Sequence, residues 1–190
     1  KYTPVHPRVS FYTRFVKRAI DITVSLLALT VTLPVNLVIG VITYFDVGRP
    51  IFFTQDRIGK DGKLFKIVKF RNMTNETDAK GELLPAAQRV TKFGSFVRKT
   101  SLDELLNFWS ILKGDMSLIG PRPLPPSYAT RFNERHMKRN AVRPGLECPP
   151  RKKVVALRNW QDQFENDIWY VENVSFKTDC KMICYLIRFA

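Results

Sequence analysis

From Ile22 to Phe45 the chain runs for 24 residues without a charge, ITVSLLALTVTLPVNLVIGVITYF, and no other stretch limits the fold as strongly. As a helix this segment measures about 36 Å at ~1.5 Å per residue, enough to cross the hydrocarbon of a bilayer. Near its middle Pro34 lacks a backbone donor, and its ring crowds the carbonyl four residues back, so a sharp bend is expected there. Both flanks are basic, with Arg14, Lys17 and Arg18 before and Arg49, Arg57 and Lys60 after, a pattern that places both ends in the cytoplasm. A hairpin that enters one leaflet and returns satisfies both features. A kinked single-pass anchor is the plainer reading, and residue physics alone leaves the two open. Asp21 follows Lys17 and Arg18 at spacings of four and three, where pairing eases the cost of a carboxylate near the interface.

A length of 190 residues suits one domain with a real core. Thirty-one Lys and Arg against 17 Asp and Glu leave a formal charge of +14, a bias toward phosphates, acidic lipid or nucleic acid. Cys148, Cys180 and Cys184 form no CxxC and have no neighbouring His, so neither a disulfide framework nor a zinc site is expected, and a reducing compartment fits. The first ten residues do not resemble a signal peptide.

Residues 51–70 hold two apolar runs around Gly59-Lys60-Asp61-Gly62, which is hairpin chemistry. Residues 72–91 are polar and read as an excursion with one short helix. Ser101-Leu102-Asp103-Glu104 has the pattern of a capping box, with Ser101 as N-cap, opening an apolar helix through Leu112 that Gly114 closes. Apolar side chains cover most of that helix, so it is expected to be buried or to touch lipid. Gly120-Pro121-Arg122-Pro123 sets an arginine between two residues of fixed φ.

Asp103 and Glu104 are neighbours about 100° apart on a helix, so they cannot face each other across a substrate and need separate roles. One reading is structural: Glu104 caps, and Asp103 complements the helix dipole. The other is chemical: the same field lowers the pKa of Asp103 and keeps it ionised, ready to attack phosphorus. Attack on a diphosphate brings anion toward anion, which a magnesium ion and fixed arginines would relieve. Arg98, Arg122 and Arg143 each lie close to a turn or helix end and are candidates, although any one of them alone is more simply a surface charge.

Taken in order, Lys17-Arg18 with Asp21, Pro34, Gly48 and Pro50, Phe53-x-Gln55-x-Arg57-x-Gly59, Lys69-Phe70-Arg71-x-Met73, Thr100 to Leu105, Gly114 to Pro123 and Val142-Arg143-Pro144-Gly145 resemble the bacterial sugar transferase family, the monotopic phosphoglycosyl transferases. The resemblance covers roughly residues 14–147. It implies an α+β, mainly helical fold, with a re-entrant membrane helix-hairpin over 12–46, a β-hairpin over 51–70, a catalytic core over 98–147 and a divergent part over 148–190, all within one domain and with amphipathic interfacial helices. It also implies Mg²⁺ and a two-step transfer of a phosphosugar from a UDP-sugar to undecaprenyl phosphate at the cytoplasmic face of the inner membrane, with UMP leaving first. Asp103 matches the nucleophile, which would also meet the metal, and Glu104 its neighbouring acid or base. Lys69, Arg71, Arg98, Arg122 and Arg143 are the expected substrate-binding residues.

Two departures stand out. Leu105-Leu106-Asn107 replaces Leu-Pro-Gln, and Gly145 to Lys153 replaces a Gly-Leu-Thr-Gly-Trp-Ala-Gln-like stretch. In the latter, two prolines present Arg151, Lys152 and Lys153 from an extended path, which suits an acidic lipid surface. The alternative function is a membrane-anchored basic module binding acidic lipid or nucleic acid through residues 135–153, which hold seven basic residues and one acid. No nucleic-acid motif accompanies that stretch, so nucleic acid is not expected, and self-association is left open.

Overall fold

The computed structural model describes residues 4–148 and 160–189, so the cations at 151–153 lie outside the described residues. A π-helical turn, Tyr12–Val16, leads into α1, Lys17–Val47, which is 31 residues long. The helix carries on through Pro34. No loop divides the segment into two arms, so the hairpin expected there is not seen, and any return of the chain has to come from a bend inside a continuous helix. Around Pro34 the Thr30 and Thr32 hydroxyls donate to the carbonyls of Leu26 and Ala28, and the Asn36 amide donates to the Thr32 hydroxyl. Leu27, Val31, Leu37, Val41 and Phe45 are exposed, Phe45 to 81%. A helix of this length and composition can cross a membrane, and its bare apolar surface excludes a buried core helix.

After α1 come β1, Phe52–Ile58, and β2, Leu64–Phe70, which pair around a short 3-10 turn as the sequence predicts. Asp61 and Gly62 take left-handed backbone there, at φ 56° and 76°. Next are α2, Ala86–Arg89, α3, Lys92–Lys99, and α4, Asn107–Lys113. Strand β3, Ser117–Ile119, precedes α5, Glu134–Met137, and β4, Gly145–Glu147. Helices α6, Trp160–Asn173, and α7, Phe176–Phe189, complete the chain.

These elements divide into two compact units. One comprises Leu26–Gln55 and Lys66–Trp109. Its core is Ile39, Phe70 and Val97, with Phe93, Leu102 and Leu106 packed against them. The Thr91 hydroxyl caps α3 by accepting from Gly94 N, and it donates to Asp46 at 2.5 Å. A Cβ on Gly94 would stand 2.2 Å from the Asn72 carbonyl oxygen, so only glycine lets α3 lie this close to the chain leaving β2.

The other unit comprises the described parts of Lys1–Ser25, Asp56–Phe65 and Ser110–Ala190. Ile119, Cys148, Tyr170, Val174 and Met182 form one cluster of its core, and Val5, Ile168 and Val171 another. Strands β3 and β4 run parallel, with Ser117 opposite Gly145 and Ile119 opposite Glu147. The expected pairing of Asp21 with Lys17 and Arg18 does not occur. Lys17 meets Asp179 at 2.6 Å, Arg18 donates to the last carbonyls of α4 at Ile111 and Leu112, and Asp21 accepts from Ser117 Oγ and Leu118 N. Pairs of neighbours on one helix gain only ~0.2–0.5 kcal/mol, so little is lost when tertiary partners take these groups.

Candidate active site

Lys69 leaves β2 next to Phe70, which is buried in the core of its unit. Leu102 and Leu106 pack on that same core, and the residues between them, Asp103 and Glu104, are thereby set beside the strand. The Lys69 ammonium lies 2.8 Å from Glu104 Oε1 and 3.8 Å from Asp103 Oδ2. The two acids sit differently: the Asp103 side chain is 9% exposed, and that of Glu104 24%. Burial pushes the Asp103 carboxyl above its ordinary value; the Lys69 ammonium opposes that, and the Glu104 charge adds to it. The expectation that a helix field lowers this pKa is therefore corrected, because desolvation is the larger effect.

The local backbone also differs from the expected capping box. Ser101 is left-handed, at φ 54° and ψ 21°, and its side chain caps nothing. Its N–H donates to the Arg98 carbonyl and that of Thr100 to the Phe96 carbonyl, while its own carbonyl accepts from Glu104 N, so Ser101 follows the end of α3 and also stands as the backbone N-cap of the next turn, without the expected side-chain bond. Leu102–Glu104 then forms a 3-10 turn separate from α4, and the single helix expected from 102 to 112 is two pieces. Ile111 is fully buried while Trp109 is 53% exposed. Gly114 closes α4 with φ +99°, as read from the sequence.

Arg98 is exposed on the last turn of α3, and its charge favours ionised Asp103. Arg71, on the other hand, turns away from the pair: its guanidinium donates to the carbonyls of Val47 and Arg49 and closes the end of α1. Arg122 and Arg143 belong to the second unit. Both prolines around Arg122 are buried and the arginine is exposed, so the Pro-Arg-Pro element anchors its backbone and presents the charge. Arg122 Nη1 donates to the Leu146 carbonyl at 3.1 Å and lies 3.4 Å from Glu147. Arg143 Nε donates to the Gly114 carbonyl.

Sequence reasoning missed what fixes Arg122. Arg139 and Asp167, 2% and 0% exposed in their side chains, form a buried pair at 2.7 Å, and Arg139 Nη2 donates to the Arg122 carbonyl. Nothing in the sequence marked Arg139 apart from its basic neighbours, and its partner lies 28 residues away. Tight glycine packing supports the same region. A Cβ on Gly145 would stand 2.1 Å from Gly120 N, and one on Gly120 would stand 2.6 Å from the Arg143 carbonyl oxygen.

Among the described residues no three His, Cys, Asp or Glu side chains converge. A magnesium ion does not require such a cage, because it usually takes one or two carboxylates and completes its shell with water and substrate phosphates. Asp103, with Glu104 beside it, offers oxygen donors of that kind.

The bacterial sugar transferase family model matches residues 12–189. An uncharacterized sugar transferase of Bacillus subtilis, EpsL, is 41% identical over 90% of this chain and 85% of its own length. A UDP-N-acetylgalactosamine-undecaprenyl-phosphate N-acetylgalactosaminephosphotransferase of Aeromonas hydrophila is 33% identical over 92% of this chain and 43% of its own. A UDP-glucose:undecaprenyl-phosphate glucose-1-phosphate transferase of Klebsiella pneumoniae is 37% identical over 88% and 38%. The chain thus spans most of the first relative and about two fifths of the other two.

Proposed function

The chain belongs to the bacterial sugar transferase family, and from that premise we propose that it moves a phosphosugar from a UDP-sugar to undecaprenyl phosphate, giving UMP and a polyprenyl diphosphosugar. The observation that carries this reading is the Asp103, Glu104 and Lys69 cluster, in which one buried and one half-exposed carboxylate share a single ammonium. An ionised Asp103 oxygen attacks the phosphorus that bears the sugar. The bond from that phosphorus to the bridging oxygen breaks, and the electron pair leaves with UMP. An oxygen of the polyprenyl phosphate then attacks the same phosphorus and returns Asp103 to a free carboxylate. Lys69 holds the two acids in place and offsets charge as the donor diphosphate approaches, and Arg98 adds positive potential on the same side. Glu104, on the more open side, is positioned to manage a proton of the incoming or departing phosphate. A magnesium ion held by Asp103 and substrate phosphates would supply further relief of anionic charge.

Such chemistry belongs at a membrane, and α1 is the element that takes the chain there. The proposal includes a bend at Pro34 within α1, both basic ends at the cytoplasmic face of the inner membrane, and a role in assembling a polysaccharide or glycoconjugate. The noncatalytic basic module finds no support among the relatives. UMP release from a panel of UDP-sugars with magnesium, with and without undecaprenyl phosphate, tests the reaction, and mass spectrometry after donor alone tests the intermediate. A phosphosugar adduct on Asp103 is expected. An adduct on another residue, or no UMP release from any donor, would overturn it.

A further inference from the structure

The unit that contains the start of α1 holds a cavity of about 490 Å³ into which six cations project, those of Arg8, Arg14, Lys17, Arg18, Lys60 and Arg143. They come from the N-terminal segment, the start of α1, the hairpin turn and the strand-leading segment before β4. Only one acid lines it, Asp21, and that carboxylate already accepts from Ser117 and Leu118. Three of the cations are committed: Lys17 to Asp179, Arg18 to two α4 carbonyls, and Arg143 through Nε to Gly114. Arg8, Arg14 and Lys60 are exposed and have no side-chain partner among the described residues. The floor is apolar, formed by Val142, Tyr170 and Val174. Convergence of unneutralised cations on a concave surface concentrates anions, and arginine favours the several oxygens of a phosphate over a single-point anion.

We propose that this cavity is a second anion site, separate from the Asp103 cluster, that binds the phosphate ester of a ligand whose remaining part rests on the apolar floor. The same segment carries Val9, Phe11 and Phe15, exposed to 65%, 73% and 60%, and continues directly into the bare apolar surface of α1. Exposed aromatic rings next to basic residues at the foot of a membrane helix lie at head-group depth. A lipid phosphate therefore reaches this cavity without leaving the membrane surface, and a soluble phosphate ester offers the same chemistry from the other side.

The test uses the full chain in uncharged detergent, titrated calorimetrically with short-chain phosphatidylglycerol, with inorganic phosphate and with phosphatidylcholine. Phosphatidylglycerol is expected to bind saturably, and Arg8→Gln/Arg14→Gln/Lys60→Gln to weaken it by roughly tenfold or more. A control with the same charge change elsewhere, Lys80→Gln/Lys92→Gln/Lys138→Gln, is expected to leave it unchanged, and Arg8→Lys/Arg14→Lys to retain most of it. Inorganic phosphate that binds as tightly and displaces the lipid assigns the site to soluble phosphate esters. Absence of saturable binding by either anion, or equal losses in the two triple-Gln variants, would show diffuse charge and overturn the site. Because the readout is binding, the result does not depend on the transfer reaction.

Discussion

Asp103 is held in an environment that opposes its own charge. Its carboxyl is almost buried, and desolvation raises its pKa above the value it has in an unfolded chain. Between those two values the folded state binds the proton more tightly, so this group lowers stability as pH rises through that window. Asp103→Asn removes the ionisation while Lys69 keeps Glu104 as a partner. We expect the variant to melt at or above the temperature of the parent at neutral pH, in a thermal scan, while UMP release falls to background. The same shift moves the acidic limb of the rate profile. A nucleophile must be ionised, so kcat/KM, which reports the free enzyme, should fall on acidification at a value above that of an ordinary aspartate. A limb at the ordinary value would mean that another group controls the step. The sequence singled out these two acids because they stand adjacent in a recognisable frame, and the structure sets Lys69 beside both. The sign of the pKa shift was not, because it depends on how deeply Leu102 and Leu106 draw the turn into the core.

At the scale of elements, the hairpin of β1 and β2 and the end of α4 at Gly114 were written in local turn chemistry, and both formed as expected. The turn before Asp103 was misread because a serine followed three residues later by glutamate also fits the end of a preceding helix. Ser101 does both, bonding back to Arg98 and accepting from Glu104, and its left-handed backbone goes with the loss of the side-chain cap. The parallel pair β3 and β4 has too few residues to show a pattern, and its signature lies in the glycines at 120 and 145. Gly145→Ala puts a methyl group against backbone that cannot move aside, and overpacking of this kind costs about 1–3 kcal/mol. Chemical denaturation should show a loss of at least that size. An Ala variant with parental stability would mean that the two strands separate freely.

For the whole molecule, the apolar segment gave membrane character from composition alone, but its path through the bilayer was not readable from one proline. Proline removes a single hydrogen bond, and the remainder of α1 is long enough to continue as helix past that loss. Pro34→Leu restores the bond and should straighten α1. In cells, cysteine reporters placed at Arg14 and Arg57 in a cysteine-free background are expected to label only from the cytoplasm in the parent. The Leu variant is expected to shift a measurable fraction toward a state with one end outside. Parent reporters that label from opposite sides would establish a simple crossing.

The two compact units are not consecutive in the chain. It passes from one to the other after residues 25, 55, 65 and 109, so each unit is stitched from separated segments. Any internal cut divides the unit of Lys1–Ser25, Asp56–Phe65 and Ser110–Ala190 between two fragments, whereas a cut before Leu26 or after Trp109 leaves every segment of the other unit in one fragment. A product truncated after Trp109 therefore keeps every segment of the unit that holds most of α1, together with its core of Ile39, Phe70 and Val97, and lacks most of the other unit. Synthesis has to reach Leu106 before the core of Ile39, Phe70 and Val97 has all its packing partners, and to run much further before the other unit has its own, so the apolar helix is made before either core can close. On the proposed reading, α1 is available to the membrane before the site at Asp103 is assembled.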